Sequence, residues 1–282
     1  MVVNYQIGAF SVQVDSEFTI TESERAELFR SDRPGNLRCV CRVVDRVRED
    51  FPSVLHREDG LTVFETSGGR EMVRYTSFPQ PHAYQGITES DRVREITLSY
   101  AAGDLSWASE IGYLWRAISL RHCLLRCGNL LMHSSYVGTR SGAILFAGDD
   151  EIGGATQAEL WAKKRDAVIV NGGRAVVGTE DGLPMVYGLP LSGKSRICKN
   201  QTMPLRAVVV LQRSREGRAV RLSGPRAMAA VSRYVSKDVW RAGENALSLS
   251  IQEEILSPVP VYLLDVRGNE TDLLALEEAM GT

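Results

Sequence analysis

The chain has 282 residues, 44% of them hydrophobic and 24% charged, which is the composition of an ordinary globular protein. It has 33 Lys and Arg against 35 Asp and Glu, so its formal net charge of -2 lacks the basic excess typical of nucleic-acid-binding proteins. The longest apolar runs have only the length of a strand, and the first ten residues do not form a signal segment. We therefore expect no nucleic-acid partner, no membrane partner and a cytoplasmic location.

The first hundred residues favour β-structure. Several short runs are rich in β-branched and aromatic residues or alternate apolar with polar ones, and turn-forming Gly and Pro residues separate them. These runs lie at residues 5–14, 37–44, 61–65, 71–75 and 93–100. We therefore predict a smaller, β-rich N-terminal domain over residues 1–104.

Residues 106–127 change to a helical pattern, with large apolar side chains three or four positions apart. Ser106 is a candidate N-cap, and Gly128 suits the C-terminal end of such a helix. We predict one helix here, which forms a connecting segment over residues 105–130.

From residue 131 onward, strand-like and helix-like segments alternate. Predicted strands lie at residues 131–137, 143–147, 166–170, 207–211 and 260–264, and predicted helices at residues 156–164, 225–234 and 271–280. This order predicts an α/β domain over residues 131–282, with helices packed on a sheet.

The five cysteines do not indicate a disulfide framework, because their number is odd and the chain is large. Cys39 and Cys41 share one face of a predicted strand, and Cys123 and Cys127 share one face of a predicted helix. A metal site that also uses two nearby histidines is an alternative, but the spacing of a four-ligand zinc site is missing. We interpret the cysteines as small buried residues and predict no metal site.

One segment, Gly188 to Ser195, matches the phosphate-binding pattern G-x-x-x-x-G-K-S/T. Such a loop works because it joins a strand to the N-terminus of a helix, whose backbone N–H groups then bind the phosphates. Here residues 196–206 show no helical pattern, and Pro190 removes a backbone donor from the loop itself. We interpret the segment as a basic surface loop, with a working phosphate-binding loop as the alternative.

A better structural context for such a loop lies at residues 148–156, between a predicted buried strand and a predicted helix. The position of the phosphate-binding lysine holds Gly154. The position of the magnesium-binding hydroxyl holds Ala155, with Thr156 one place later. The spacing of a phosphate-binding loop is therefore present, whereas its chemistry is not.

Three carboxylates, Asp149, Asp150 and Glu151, follow the predicted strand within the same loop. Each would repel a phosphate group bound a few ångströms away. Because the N-terminus of a helix favours negative charge, we interpret these carboxylates as occupants of the anion position.

The sequence around this loop resembles the catalytic domain of HPr kinase/phosphorylase and its bacterial relatives, some of which are called phosphoenolpyruvate-carboxykinase-like. The motifs that carry the resemblance are Met132-His133-Ser134-Ser135-Tyr136, Gln157-Ala158-Glu159-Leu160-Trp161 and Ile169-Val170-Asn171-Gly172-Gly173-Arg174. The resemblance covers the C-terminal half of the chain well and the β-rich first part more loosely. It implies an α/β fold with a P-loop core of the HPr kinase type, distantly like phosphoenolpyruvate carboxykinase.

In this family the loop lysine and serine bind the nucleotide phosphates and the metal, and an aspartate after the next strand serves metal binding or base chemistry. The matching positions here are Gly154, Ala155 and Gly173, so the resemblance implies a degenerate site. The positions that the resemblance assigns to nucleotide binding are Gly148, Asp149, Gly153, Gly154, Thr156, Asn171 and Gly173. We expect no tightly bound cofactor and only weak binding of ATP or ADP.

Three basic side chains are candidate site residues. His133 either faces a nucleotide or acceptor, or is a hydrogen-bonded histidine packed under the loop, which we favour. Arg174 is expected to pair with the loop carboxylates. Lys194, with Arg196 and Lys199, forms either a basic rim for an acidic partner or a solvated run of charges.

Three functions remain open from the sequence. The first is a non-catalytic pseudokinase that binds a protein or peptide partner. The second is an active ATP-dependent kinase acting on a protein or peptide serine or on a small molecule, with Lys194 as a displaced lysine and the loop carboxylates as metal ligands. The third is a module that binds a small molecule or a precursor peptide. A homo-oligomer is compatible with each of them.

Overall fold

The structure is a computed structural model that describes residues 1–47, 53–58, 61–65, 71–75, 84–89, 94–149, 152–191, 195–214 and 217–281. The chain folds into two units, an N-terminal unit, Met1–Cys123, and a C-terminal unit, Leu124–Thr282. This division falls within the segment predicted as a connecting helix, whereas the predicted boundaries follow residues 104 and 130. Strands and helices both contribute throughout, so the predicted mixed α/β class is confirmed.

The N-terminal unit is built on an eight-stranded sheet with the order β1-β2-β3-β8-β7-β6-β5-β4. Its strands are β1 (Val2–Ile7), β2 (Phe10–Ser16), β3 (Leu37–Val44), β4 (Ser53–Glu58), β5 (Leu61–Glu65), β6 (Glu71–Tyr75), β7 (Tyr84–Glu89) and β8 (Arg94–Ala101). Strand β3 runs parallel to both of its neighbours, β2 and β8, and the strands from β4 to β8 form an antiparallel meander. Buried and half-buried residues alternate along β2, as the two-residue period of a strand requires.

The predicted helix over residues 106–127 is wrong as a single element. Besides α1 (Glu24–Glu27), the structure has three short helices in this region, namely α2 (Leu105–Ala108), α3 (Ile111–Ala117) and α4 (Leu120–Arg126). Ser106 lies inside α2 and therefore does not cap it, and Ser119, between α3 and α4, has a φ of 48°. The end of α4 is as predicted, because Gly128 has a φ of 74°.

The C-terminal unit contains a second sheet with the order β12-β10-β11-β15-β14-β13-β9-β17, in which β18 pairs with β15 and β16 pairs with β18. Its strands are β9 (Leu130–Met132), β10 (Ser134–Thr139), β11 (Gly142–Ala147), β12 (Val168–Asn171), β13 (Ala175–Glu180), β14 (Leu183–Tyr187), β15 (Thr202–Arg213), β16 (Ala219–Leu222), β17 (Val235–Ser236) and β18 (Val261–Val266). Both β11 and β18 run parallel to β15. The C-terminal ends of these three strands therefore lie along one edge of the sheet.

Helices cover both faces of the parallel strands. They are α5 (Gly154–Arg165), α6 (Gly224–Ser232), α7 (Glu244–Leu256) and α8 (Glu270–Met280). One apolar layer contains Phe146, with residues from α5 and α8, and the other contains Leu145, with residues from α6 and α7. Consecutive residues of β11 thus enter opposite cores, which explains why its sequence is apolar throughout rather than alternating.

The cysteines are buried as interpreted, apart from Cys127, which is half-buried. The Sγ atoms of Cys39 and Cys41 lie 3.9 Å apart, so the two side chains do share one face of β3. The hydrogen bond to Cys41 and, after it, burial raise the pKa of the Cys39 thiol, which makes the thiolate unfavourable. Among the described residues, no helix combines the length and the apolar character needed to cross a membrane.

Candidate functional site

The loop after β11 has the strand–loop–helix arrangement predicted from the sequence. Strand β11 ends at Ala147, and α5 begins at Gly154, two residues earlier than predicted. Gly153, the residue before the helix, has a φ of 110°, which glycine adopts at little cost. This turn directs the chain into α5 and places the positive end of the helix dipole beside the loop.

A cavity of about 480 Å³, which we call the loop cavity, lies next to the first turn of α5. Six of the predicted site residues line it, namely His133, Gly148, Asp149, Gly154, Gly173 and Arg174. Gly153 and Thr156 do not line it and instead contribute to a different cavity. The structure therefore brings together most of the residues that the sequence singled out, although they come from separate segments.

Gly154, Ala155 and Gly173, the positions at which the resemblance expects lysine, serine and aspartate, all line the loop cavity. A Cβ atom added at Gly154 would lie 3.4 Å from Phe146 O and from Ser135 Oγ, an ordinary van der Waals distance. A Cβ atom added at Gly173 would have no neighbour within 4 Å. A Cβ atom therefore fits at both glycine positions.

The described part of the loop is negatively charged. The exposed side chain of Asp149 lines the loop cavity, and Glu159 on α5 adds a second carboxylate. The pKa of the buried Tyr234 phenol is raised, first by burial and then by the nearby charge of Asp149. Asp150 and Glu151 lie outside the described residues, and so does their predicted pairing with Arg174. The described carboxylates alone oppose the binding of an anion here.

Two serines on β10 contribute hydroxyl groups to the loop cavity. Ser135 Oγ donates a hydrogen bond of 3.0 Å to the carbonyl oxygen of Gly172. Ser134 is only 2% exposed, and its Oγ has no hydrogen-bond partner among the described residues. A buried hydroxyl without a partner is unfavourable, so Ser134 is suited to hydrogen bonding with a bound polar group.

His133 lies between β9 and β10, is half-buried and lines the loop cavity. Its backbone N–H donates a 2.7 Å hydrogen bond to the carbonyl oxygen of Tyr234. His133 is thus fixed beneath the loop by its backbone while it also borders the space where a ligand would bind.

Asn171 organises the site. Its Nδ2 donates to the carbonyl oxygens of Leu189 and Leu191, each at 3.0 Å, and its Oδ1 accepts from the backbone N–H groups of Gly173 and Arg174. The side chain is fully buried, and these four bonds use both donors and both lone pairs of the amide. These bonds give Asn171 a positioning role, and its contact with a nucleotide stays a prediction.

The segment from Gly188 to Ser195 follows β14, and no α-helix lies between Ser195 and the start of β15, all of which is described. The prediction that this segment lacks the helix of a phosphate-binding loop is thus confirmed. Ser195 nevertheless lines the loop cavity and packs directly on Gly172. Lys194 lies outside the described residues, whereas Arg196 and Lys199 are exposed.

The sequence did not single out Glu159 or Tyr234 as site residues, although both lie near the loop cavity. Glu159 lies four residues after Ala155 on α5, so helical spacing alone would have placed both on one face. Tyr234 has no such signal, because the pairing of β17 with β9 brings it to His133 from a hundred residues away in the chain.

The similarity of this chain to known proteins is distant. The sequence matches no family model and no curated protein. Among solved structures, the chain is similar to the HPr(Ser) kinase/phosphatase from Coxiella burnetii, with 10% sequence identity, a TM-score of 0.32, and coverage of 54% of this chain and 88% of that chain.

Proposed function

We propose that this chain is a non-catalytic, HPr-kinase-like protein with a degenerate P-loop core, and that it binds a protein or peptide partner. One observation carries the proposal. The cavity at the N-terminus of α5 has Gly154, Ala155 and Gly173 where the family has lysine, serine and aspartate, and the carboxylate of Asp149 lines the same cavity.

The charge at this site opposes the binding of a nucleotide. The exposed carboxylate of Asp149 would repel a phosphate group bound beside it, and solvent partly screens this repulsion. The loop lysine would have offset this repulsion, but Gly154 has no side chain. Metal-dependent binding of ATP is therefore expected to be weak or lost.

A polar segment of another protein suits the loop cavity better than a nucleotide does. The cavity combines carboxylates, the guanidinium of Arg174 and the buried hydroxyl of Ser134, so it offers both donors and acceptors. Mixed charges of this kind favour a polar peptide over a ligand with several negative charges.

Nucleotide binding is tested by titrating ATP and ADP into the protein with and without magnesium, with calorimetry as the measurement. We expect no magnesium-dependent binding and no turnover of ATP. Tight magnesium-dependent binding of ATP would overturn the proposal.

The partner is tested with peptides and small proteins that are encoded beside the gene. We expect one of them to bind and Arg174→Glu to weaken that binding, because Arg174 lines the loop cavity. Arg140→Glu is the matched control, since the side chain of Arg140 is 96% exposed in the turn between β10 and β11. Equal weakening by both variants would place the partner elsewhere.

An active phosphotransferase is the second candidate, because one observation favours it. Ser195, the residue directly after Lys194 in the sequence, lines the loop cavity, where the family has its loop lysine. If the protein turns over ATP, Lys194→Ala should abolish this activity, whereas Lys199→Ala should not. Unchanged activity of the Lys194→Ala variant would exclude this route.

A further inference from the structure

Strand β16 lies at an edge of the C-terminal sheet. It pairs antiparallel with β18, from Ala219 opposite Leu264 to Leu222 opposite Val261, and it pairs with no other strand among the described residues. An edge strand has a row of backbone N–H and C=O groups that its own sheet does not use, and such a row can bind an extended segment of another molecule. Strand β16 therefore has the geometry of a docking site for an extended peptide.

The hydrogen-bond pattern shows which groups of β16 point outward. The backbone N–H of Asp265 donates a 2.9 Å hydrogen bond to the carbonyl oxygen of Arg218, so these two residues form a hydrogen-bonded pair at one end of the ladder. Because such pairs alternate with non-bonded pairs in an antiparallel ladder, the backbone groups of Val220 face β18, whereas those of Ala219 and Arg221 face away. No described residue is a hydrogen-bond partner of these outward groups, so they remain available to an added strand.

The surface along this edge is positively charged. Residues 213–226, which include β16, contain five arginines and one glutamate. Arg218 and Arg221 are exposed on opposite faces of the strand, and Arg226 is exposed in the first turn of α6. Neither Arg221 nor Arg226 forms an ion pair with a described residue. Val220, between the two arginines of the strand, is 44% exposed, so the edge also offers an apolar contact.

The charge decides which kind of strand fits this edge. A second copy of the chain, paired edge to edge, would bring its own arginines opposite these ones, and like charges across a strand pair are destabilising. Carboxylates on an added strand would instead face arginines, and opposite charges across a strand pair are stabilising. The edge therefore fits an extended segment that carries Asp or Glu.

We propose that β16 binds an extended acidic segment of a partner protein, which joins the sheet as an additional strand. Its backbone would bond with the outward groups of Ala219 and Arg221, its carboxylates would pair with Arg218 and Arg221, and an apolar side chain would cover Val220. This inference does not depend on the proposed function, because neither the loop cavity nor a nucleotide takes part in it.

Three synthetic peptides separate strand addition from simple charge attraction. The first alternates Glu with Val, the second alternates Glu with Pro, and the third alternates Lys with Val. The Glu–Pro peptide keeps the negative charge but cannot form a strand, because Pro has no N–H to donate. By fluorescence anisotropy, we expect the Glu–Val peptide to bind at least about tenfold more tightly than the other two. Equal binding of the two acidic peptides, or no binding of the Glu–Val peptide, would overturn the proposal.

Variants place the peptide on β16. Ala219→Pro removes an outward N–H but keeps the N–H groups that bond with β18, which is how edge strands tolerate proline, and Arg221→Glu reverses one charge. Each is expected to weaken the binding of the Glu–Val peptide by about tenfold. Arg221→Glu keeps every backbone group, so it tests the site even if the proline variant does not fold.

Arg140→Glu is the matched control, because it reverses a charge that is 96% exposed in the turn between β10 and β11. It should leave the affinity for the Glu–Val peptide unchanged. Binding that persists in the Arg221→Glu variant, or that falls equally in the control, would contradict docking on β16. Magnesium-dependent binding of ATP would instead overturn the proposed function and leave docking on β16 intact.

Discussion

At the scale of single residues, two adjacent glycines beside the loop cavity have different surroundings. A Cβ atom added at Gly172 would lie 2.1 Å from Ser195 Oγ, whereas one added at Gly173 would meet no atom within 4 Å. Neither glycine has a positive φ, so the difference is one of space alone. Gly172 therefore allows Ser195 to pack on the turn after β12.

We predict that Gly172→Ala destabilises the C-terminal unit by about 1–3 kcal/mol, because overpacking shifts the segment that carries Ser195. Gly173→Ala should change the free energy of unfolding by about 0.5 kcal/mol or less. Urea unfolding of both variants measures the difference. If both substitutions cost the same, the close contact between Gly172 and Ser195 is wrong.

Asn171 is predicted to be the residue on which the order of the site depends most. Asn171→Ala removes four hydrogen bonds and leaves buried backbone groups without partners, so we expect a loss of about 2–4 kcal/mol in the free energy of unfolding. Asn171→Asp keeps the two bonds to Oδ1 but places a carboxylate against two carbonyl oxygens, so it should be no better tolerated. A loss below about 0.5 kcal/mol in the alanine variant would contradict this role.

In the N-terminal unit, Glu22 forms an ion pair with Arg30 and accepts a hydrogen bond from the Tyr5 hydroxyl. Burial alone would raise the pKa of Glu22, but the hydrogen bonds from Arg30 and Tyr5 outweigh it and hold this pKa below the ordinary value. Because folding lowers the pKa, the ionised carboxyl stabilises the folded state. This contribution is complete above the pKa of the unfolded chain and is lost as the pH falls through the folded pKa.

We therefore predict that Glu22→Gln lowers the urea midpoint by a constant amount above about pH 5.5, and that the difference from the wild type shrinks below about pH 4.5. Asp32→Asn, which neutralises an exposed carboxyl nearby in the sequence, should show no comparable effect. A difference that remains unchanged down to about pH 3 would contradict the assignment.

At the residue scale, the sequence predicted the features that depend on one residue and its immediate neighbours. Gly128 was predicted to end a helix because the left-handed conformation suits glycine, and the buried cysteines follow from their residue type. The role of Asn171 was predictable only in part, because Gly173 and Arg174 lie two and three residues away but Leu189 and Leu191 lie eighteen and twenty residues away. A side chain that bonds to backbone leaves no pattern in the sequence of its partners.

At the scale of elements, α5 and α8 are joined by a buried hydrogen bond between Gln157 and Asp272. Asp272 also caps the turn before α8, where it accepts from the backbone N–H groups of Arg267 and Gly268. One carboxylate thus fixes the start of one helix and its contact with another.

We predict that Asp272→Ala destabilises the C-terminal unit by about 3–5 kcal/mol, because several buried donors lose their acceptor at once. Glu278→Ala removes an exposed carboxylate from the same helix and should cost about 0.5 kcal/mol or less. Thermal and urea unfolding measure both. A similar cost for the two variants would show that Asp272 contributes no more than a surface charge.

Two helical regions show where hydrophobic periodicity alone fails, because one was predicted as a single helix and the other was missed. The chain leaves the helical path between α2 and α3 because Thr21 N–H donates to Ser109 O and Ile111 N–H donates to Thr21 O. These partners are distant in sequence, so the apolar stripe continues across the break. Helix α7 was missed because Leu247, Leu249 and Ile251 alternate with serines as in a strand, whereas its buried face includes the polar Ser248 and Gln252.

At the scale of the whole molecule, the sequence patterns predicted a β-rich first unit and an α/β second unit. They did not predict the order of the strands in either sheet. The strand–loop–helix around residues 148–156 was predictable because its segments are consecutive. The joining of the sheet through β15, which pairs with β14 at one end and with β18 at the other, depends on contacts between distant segments.

On the proposed function, the site keeps the shape of a nucleotide site and lacks its chemistry at three positions. The most direct test compares the wild type with the triple variant Gly154→Lys, Ala155→Ser and Gly173→Asp, because an added Cβ atom makes no contact shorter than 3.4 Å at either glycine. Calorimetric titration of ATP with and without magnesium should show magnesium-dependent binding only in the triple variant. Tight magnesium-dependent binding of ATP by the wild type, or none by a folded triple variant, would contradict the account.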